Sequence, residues 1–274
     1  MSDQSAVIAV ILGILQGIFE WLPISSEGNI TIALTALGNS PETAIAYALF
    51  LHTGTAISAM AYYRSELRTV LSSATSWRLS SAFDRSSAEL SYLVIATVMT
   101  GLVGIPAKLL FEDAVGQLDG GLFVVLIGVL LLATGLLQRV SGDLSMGDRE
   151  SPDLTDAILV GGLQGFAVLP GISRSGVTAS ALLFRSHDGP SAFRLSFLLS
   201  IPAALGAGVL AAVEDGFAGI SITQALLAVA VSAIVGYLTI DALMRIVERV
   251  SFEKICYGLG LLAIIGGGGL SLTL

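Results

Sequence analysis

Six stretches of this sequence, at 43–63, 90–111, 121–138, 190–213, 220–247 and 252–272, stay apolar for about the 20 residues that a helix needs to cross a bilayer. In hydrocarbon every backbone N–H and C=O must be paired within the chain, which leaves helices or closed barrels. Barrel strands alternate apolar and polar residues with a period of two, and these runs do not. Only 12% of the 274 residues are charged, against about 25% in soluble domains. The expected fold is all-α and polytopic, a single membrane domain over 1–274.

Four further apolar runs, 6–22, 29–38, 154–169 and 175–185, come in two pairs, each pair split by a polar Gly/Pro/Ser break. The second member of each pair is only about half a crossing at 1.5 Å per residue. The simplest reading is two re-entrant helix–loop–helix hairpins, 6–38 and 154–185, because irregular backbone at membrane depth is tolerated only inside protein or along a cavity. With six full crossings, Glu42, Glu112, Asp113, Asp119, Glu214 and Asp215 fall on one face, with Lys108 just inside a helix end. Arg64, Arg68, Arg78, Arg85, Arg139, Arg149, Arg185, Arg245, Arg249 and Lys254 fall on the other. Loops rich in Lys and Arg stay in the cytoplasm, so both termini are expected outside. The N-terminus lacks the basic region and small-residue cleavage site of a signal peptide, so the first apolar run is expected to be retained.

The halves repeat. LQG at 15–17 matches LQG at 163–165, Leu22-Pro23 matches Leu169-Pro170, Gly28 matches Gly176, and Phe50-Leu51 matches Phe197-Leu198. Val103-Gly104 matches Val235-Gly236, and Gly128 matches Gly260. Each half, 1–140 and 150–274, holds one hairpin and three crossings, so the second is inverted relative to the first. Inverted repeats with broken helices place their site near the midplane, where the breaks meet.

The breaks carry the chemistry. The first reads QGIFEWLPISSEGN, from Gln16 to Asn29. Gln16 and Glu20 are four apart and share a helix face. A carboxylate there can bind a divalent cation, take a proton or pair with Arg174, and ionisable groups at membrane depth mark function by default. Ser25 and Ser26 are either a nucleophile awaiting a base or caps, with Ser26 placed to cap the helix that follows. Glu27 lines the polar cavity or sits in that helix's first turn, where acid favours the dipole. The second break reads PGISRSG, an anion cradle: Gly171 and Gly176 permit unusual backbone angles, the amides at the start of the following helix face an oxyanion, Arg174 adds a planar fork, and Ser173 and Ser175 add hydroxyls. No Walker lysine follows, which excludes a nucleotide P-loop.

Other polar residues carry weaker signals. His52, in FLHTGT, opens the first full crossing and is either a general acid/base or a packing residue. His187, in RSHDG, reads as a solvated loop residue. Asp241 and Arg245 form a plain helical pair. The single Cys256 reads as a small packed thiol. A net charge of −8 argues against a nucleic-acid partner.

The first break resembles the E/Q-x-x-x-E and P-x-S-S-x-G-H signature of undecaprenyl-pyrophosphate phosphatases, the bacitracin-resistance family. LPGISRSGVT resembles that family's PG-x-SRSG motif, and SAFRLSFLLSIPAALGA resembles its FSFLL-x-IP run. The resemblance covers essentially the whole chain. It implies an integral membrane phosphatase that releases inorganic phosphate from a polyprenyl diphosphate lipid at the outer side, regenerating the monophosphate carrier for cell-envelope glycan synthesis. A divalent cation, Mg2+ or Ca2+, is implied, with Glu20 and Glu27 as its candidate ligands. Position by position, Gln16 and Glu20 take the E/Q-x-x-x-E places, Ser25 and Ser26 the paired serines, and Arg174 the phosphate-binding arginine. Asn29 stands at the usual histidine place and Glu27 at a place often held by threonine. Asn does not transfer protons as His does, so either Glu27 or His52 is expected to replace that function.

The resulting site has Glu20, Ser26, Arg174, Glu27 and His52 as catalytic candidates. Gln16, Ser25, Gly28, Asn29, Gly171, Ser173, Ser175 and Gly176 are the substrate-binding candidates. Membrane lipids surround the protein, and a second copy of the chain is a candidate partner. The alternative function is a transporter or flippase of the polyprenyl-phosphate carrier, which uses the same architecture.

Overall fold

A helix satisfies its own backbone, so long apolar runs become helices wherever water is absent. The computed structural model describes residues 3–116, 118–143, 147–214, 221–247 and 250–272. Among these it contains eleven α-helices: α1 (Asp3–Phe19), α2 (Ser26–Ala36), α3 (Pro41–Tyr62), α4 (Arg64–Ser72), α5 (Ala88–Val115), α6 (Gly120–Asp143), α7 (Leu154–Gly165), α8 (Arg174–Phe184), α9 (Gly189–Glu214), α10 (Ile222–Val247) and α11 (Phe252–Ser271). Six of them, α3, α5, α6, α9, α10 and α11, are long and apolar enough to cross a membrane. Their outer faces are apolar: Leu110, Leu238, Leu262 and Ile265 are all exposed, as a lipid-facing surface requires.

The expected paired short helices are present as α1 with α2 and α7 with α8. The second member of each pair lies inside the bundle; every residue from Ser175 to Leu182 of α8 is buried. Around them α1 packs on α10, α5 on α7, α6 on α11, and α3 lies against both α9 and α10. Side-chain contacts sort the helix ends. Tyr62 Oη donates to Asp241 Oδ1 at 3.3 Å, and Arg194 donates to Glu89 at 2.6 Å. These contacts bring the end of α3 to the end of α10, and the start of α5 to the start of α9. At the opposite end Ser271 Oγ donates to Asp119 Oδ2 at 3.1 Å, joining the start of α6 to the end of α11. Arg64, Arg185 and Arg245 therefore share one end, and Glu42, Glu112 and Asp119 the other. Asp215 and Arg249 lie outside the described residues, as does the side chain of Glu214.

Between α3 and α5, Arg64–Ser72 forms the amphipathic helix α4, with Val70 buried. Two expectations need correction. First, His52 does not open its crossing. Ser40 Oγ accepts the Thr43 amide at 3.3 Å and Pro41 takes the first helical turn, so α3 starts eleven residues before His52 and leaves it mid-helix. Second, His187 is fully buried rather than solvated. The turn between α8 and α9 is clamped by the segment around Arg149, whose amide donates to Ser186 O at 3.0 Å and whose carbonyl accepts from the Asp188 amide at 3.1 Å. That clamp pushes the imidazole inward, where Nε2 lies 3.0 Å from Asp156 Oδ2. The Asp241–Arg245 pair is present at 2.6 Å, and Cys256 is a buried free thiol.

Without a hydrophobic force between helices in lipid, close packing of small residues holds them together. The α6–α11 seam shows this: a Cβ on Gly128 would meet Gly260 O at 2.7 Å, and one on Gly260 would meet Gly128 O at 2.8 Å. Gly260→Leu is expected to destabilise the protein by about 1–3 kcal/mol through overpacking. Thermal unfolding in detergent should show a lowered Tm for Gly260→Leu and an unchanged Tm for Gly258→Ala, since a Cβ on Gly258 meets nothing within 4 Å.

Candidate active site

The first break begins where α1 stops. Pro23 has no N–H to continue a helix, and the chain turns through residues 20–25. Ser25 adopts a left-handed conformation with φ 59°. Its Oγ accepts the Gly28 amide at 3.2 Å and, from the other break, the Gly171 amide at 3.1 Å. Ser25, rather than the expected Ser26, is therefore the cap of α2. Asn29 holds the same turn from the other side, its Nδ2 donating to Ile24 O and Ser25 O, both at 2.9 Å.

The second break follows α7 through a 3-10 turn at Phe166–Val168 and reaches Gly171 at φ 103°. That angle suits glycine. Gly176 has no such angle; it lies within α8, where a Cβ would meet Gln138 Nε2 at 2.8 Å. Thr134 on α6 pins the turn, donating to Gly171 O at 3.0 Å and accepting the Ser173 amide at 3.2 Å. Ser173 caps α8 by accepting the Gly176 amide at 3.2 Å. The two breaks touch: a Cβ on Gly28 would sit 2.6 Å from Gly171 N.

This contact brings two helix N-termini to one place. The first amides of a helix have no intrahelical acceptor. The caps take those of Gly28 and Gly176, which leaves the amides of Ser26 and Glu27, and of Arg174 and Ser175, for a ligand.

Between them lies the buried carboxylate of Glu20. Its Oε2 accepts from Gln16 Nε2 at 2.8 Å and from Ser26 Oγ at 2.9 Å, and lies 3.3 Å from His52 Nε2. Its Oε1 receives Arg174 Nη2 at 2.5 Å. The guanidinium also lies over the Phe197 ring, 5.8 Å from its centroid, a cation–π contact. His52 Nδ1 lies 2.8 Å from Ala48 O. A carbonyl only accepts, so Nδ1 carries the proton and Nε2 faces Glu20. Glu27 is buried, and its Oε1 has no partner among the described residues.

Glu20, Ser25, Ser26, Glu27, His52, Ser173, Arg174 and Ser175 line one polar cavity of about 20 Å³. It adjoins an apolar cavity of about 260 Å³ between α3, α5, α7 and α9, with Glu27, His52 and Arg174 shared by both. Gln16 reaches the cavity only through Glu20, while Gly28, Asn29, Gly171 and Gly176 shape backbone around it. Thr134 and Gln138 escaped notice in the sequence. Their signal was two polar residues four apart in the apolar run 121–138, which places them on one helix face.

Ser25→Ala removes the shared acceptor of both breaks. Losing such a cap costs about 1 kcal/mol or more, so Ser25→Ala should lower Tm in detergent. Ser26→Ala, which keeps both caps, should leave Tm nearly unchanged.

Residues 9–265 match the family model for bacitracin resistance protein BacA. The undecaprenyl-diphosphatase of Haloarcula marismortui is 53% identical over 263 residues, covering 95% of this chain and 97% of that protein. Those of Methanococcoides burtonii and Methanothrix thermoacetophila are 40% and 38% identical, each alignment covering at least 94% of this chain and 96% of the relative. With the family model spanning nearly the whole chain and these relatives aligned end to end, the chain belongs to the bacitracin resistance protein BacA family.

Proposed function

We propose that this protein is a membrane phosphatase that hydrolyses a polyprenyl diphosphate, undecaprenyl diphosphate in its relatives' name, to the monophosphate and inorganic phosphate, recycling the lipid carrier for cell-envelope glycan synthesis. The observation that carries this reading is the Ser26 hydroxyl bonded to Glu20 beside Arg174, where a polar cavity meets an apolar one. The diphosphate binds at the two helix N-termini and the prenyl chain lies in the apolar cavity.

Arg174 has five donors and holds Glu20 with one of them, so the fork can keep its carboxylate and still clamp the terminal phosphate. Glu20 accepts the Ser26 proton as Oγ attacks the terminal phosphorus. The new Oγ–P bond forms as the bridging P–O bond breaks, and polyprenyl monophosphate leaves. Water then attacks the phosphoserine, which returns Ser26 and frees phosphate. His52 takes the place of the family histidine in proton transfer: its Nε2 reaches Glu20, whereas the Asn29 amide is committed to two carbonyls.

The unpartnered Oε1 of Glu27 and the all-oxygen surroundings fit a hard cation. Among the described residues no three His, Cys, Asp or Glu side chains gather as a complete cation site, so substrate phosphate oxygens would complete the set, as is usual for Mg2+. Glu20 and Glu27 would hold Mg2+ or Ca2+, which supplies charge neutralisation at the phosphates.

The frame is one domain of two inverted repeats, 1–140 and 150–274, with re-entrant hairpins 6–38 and 154–185. Two contacts exchanged between the halves support it. A Cβ on Gly17 would meet Gly236 N at 2.8 Å, and one on Gly165 would meet Gly104 N at 2.8 Å; these four glycines are equivalent in the repeat. The arginine-bearing end faces the cytoplasm, both termini lie outside, and the site opens outward. The same broken-helix frame favours a second reading, transport of the lipid carrier, which predicts binding without phosphate release.

Phosphate release from a long-chain prenyl diphosphate by purified protein in detergent tests these roles. Ser26→Ala and Glu20→Gln are expected to lose activity on the order of 10³-fold or more, and Arg174→Ala to lose it with them. Full activity in all three would sink the assignment. His52→Gln is expected to fall on the order of 10²-fold with an altered pH profile. If Glu27→Gln alone shows that altered profile, the proton-transfer role moves to Glu27.

A further inference from the structure

A third cavity, of about 180 Å³, lies behind α8 between α6 and α11. Its polar wall is Gln138, Ser141, Ser175, Ser180 and Glu253. Ser175 also lines the reaction-centre cavity, so the two cavities meet at one residue. Gln138 spans the floor, its Nε2 donating to Pro23 O of the first break. Ser141 Oγ lies 2.9 Å from Ser180 Oγ, joining α6 to α8 across the wall. The rim includes Gly142 and Val250, both exposed, at the end of α6 and just before α11.

The apolar cavity approaches from the other direction. Its lining comes from Leu49 and His52 around the middle of α3, from the middle of α5 between Thr97 and Ile105, and from the second half of α9 between Pro202 and Leu210. The half of α9 that it follows points to the acidic end of the bundle. The third cavity uses the last turns of α6 and the first of α11, at the arginine-bearing end. The reaction centre thus sits between the apolar cavity on one side and a cavity with a polar wall on the other.

We propose that the third cavity is an aqueous vestibule that supplies water to the reaction centre from the arginine-bearing end. This rests on the phosphatase reading above. The reaction-centre cavity has room for about one water, and each turnover consumes one. Water is consumed at the phosphoserine, and while the displaced monophosphate still occupies the apolar cavity its chain and headgroup close the way in from that side. Water then arrives past Ser175. Hydroxyls, an amide and a carboxylate give water partners along one wall of this otherwise apolar cavity, whose volume holds several waters.

Labelling tests the vestibule without reference to turnover. In a Cys256→Ala background, Ser180→Cys is exposed to a quaternary-ammonium methanethiosulfonate, with and without a non-hydrolysable prenyl diphosphonate. Thiol reaction requires thiolate and aqueous access, so Ser180→Cys should react at least about tenfold faster than Ala225→Cys, a core control. The diphosphonate should protect Gly206→Cys in the apolar cavity and leave Ser180→Cys reactive. A Ser180→Cys rate equal to that of the core control, or protected along with Gly206→Cys, would overturn the proposal.

Delivery is tested by Ser180→Leu, which fills the vestibule. It should lower kcat about fivefold or more with KM unchanged, while Ser180→Ala keeps both; an unchanged kcat in Ser180→Leu also overturns the proposal. Labelling reads the vestibule whether or not phosphate is released, so loss of the phosphatase reading and loss of the vestibule are separate outcomes.

Discussion

The Glu20–Arg174 ion pair joins residues 154 apart in the chain and ties the two breaks to each other. Both groups are largely buried in a bundle whose outer surface is apolar. A charge left alone there costs about 3–5 kcal/mol, so each residue requires the other and both breaks must close on one point. Ser25 and the Gly28–Gly171 contact make that closure tight. The carboxylate is then divided: Oε1 belongs to Arg174, while Gln16, Ser26 and His52 all converge on Oε2. With Oε1 committed to Arg174, Oε2 is, in the proposed mechanism, the receiver of the Ser26 proton.

The chain shows how a polar site survives in hydrocarbon. Two half-length helices end in the interior, and their free amides would be costly if left bare. Each start is partly closed by a serine, Ser25 or Ser173, one residue before the helix. The remaining amides, two from each helix, point the positive ends of two dipoles at a common volume. An arginine at the start of α8 adds to that potential, and Glu20 offsets it until an anion arrives. The arrangement favours an anion in the same space.

Much of this was legible from residue order. The six crossings followed from run length, and the two breaks from Pro23, Pro170 and the polar residues beside them. The pairing of Glu20 with Arg174 followed from charge in apolar context. What failed to show depends on tertiary contacts and backbone angles that residue order does not carry. Nothing in RSHDG says that Arg149 will strap the turn and drive His187 onto Asp156. Ser25 and Ser26 are the same residue type side by side; only the left-handed turn at Ser25 decides which one caps and which one faces Glu20. The Ser40-Pro41 capping pair and the apolar run from 43 both mark the start of α3, so run length gives no support for His52 as the residue that opens it; counted from that start, His52 stands at mid-height.

That height is what gives His52 its meaning. A histidine at the place of Asn29 would sit on α2, one turn from Ser26 and on the element that must also form the break. Here Asn29 uses both amide hydrogens on Ile24 O and Ser25 O, so the residue at that position has become a brace. The imidazole instead comes from the middle of α3, its orientation fixed by the Nδ1–H bond to Ala48 O one turn back. Moving the ring from the break to a continuous helix separates two demands. The break can be held rigid by serine and asparagine, and the imidazole proposed for proton transfer rests on a scaffold that does not have to bend. The cost is a longer reach, 3.3 Å to Glu20, on an oxygen that Gln16 and Ser26 already share.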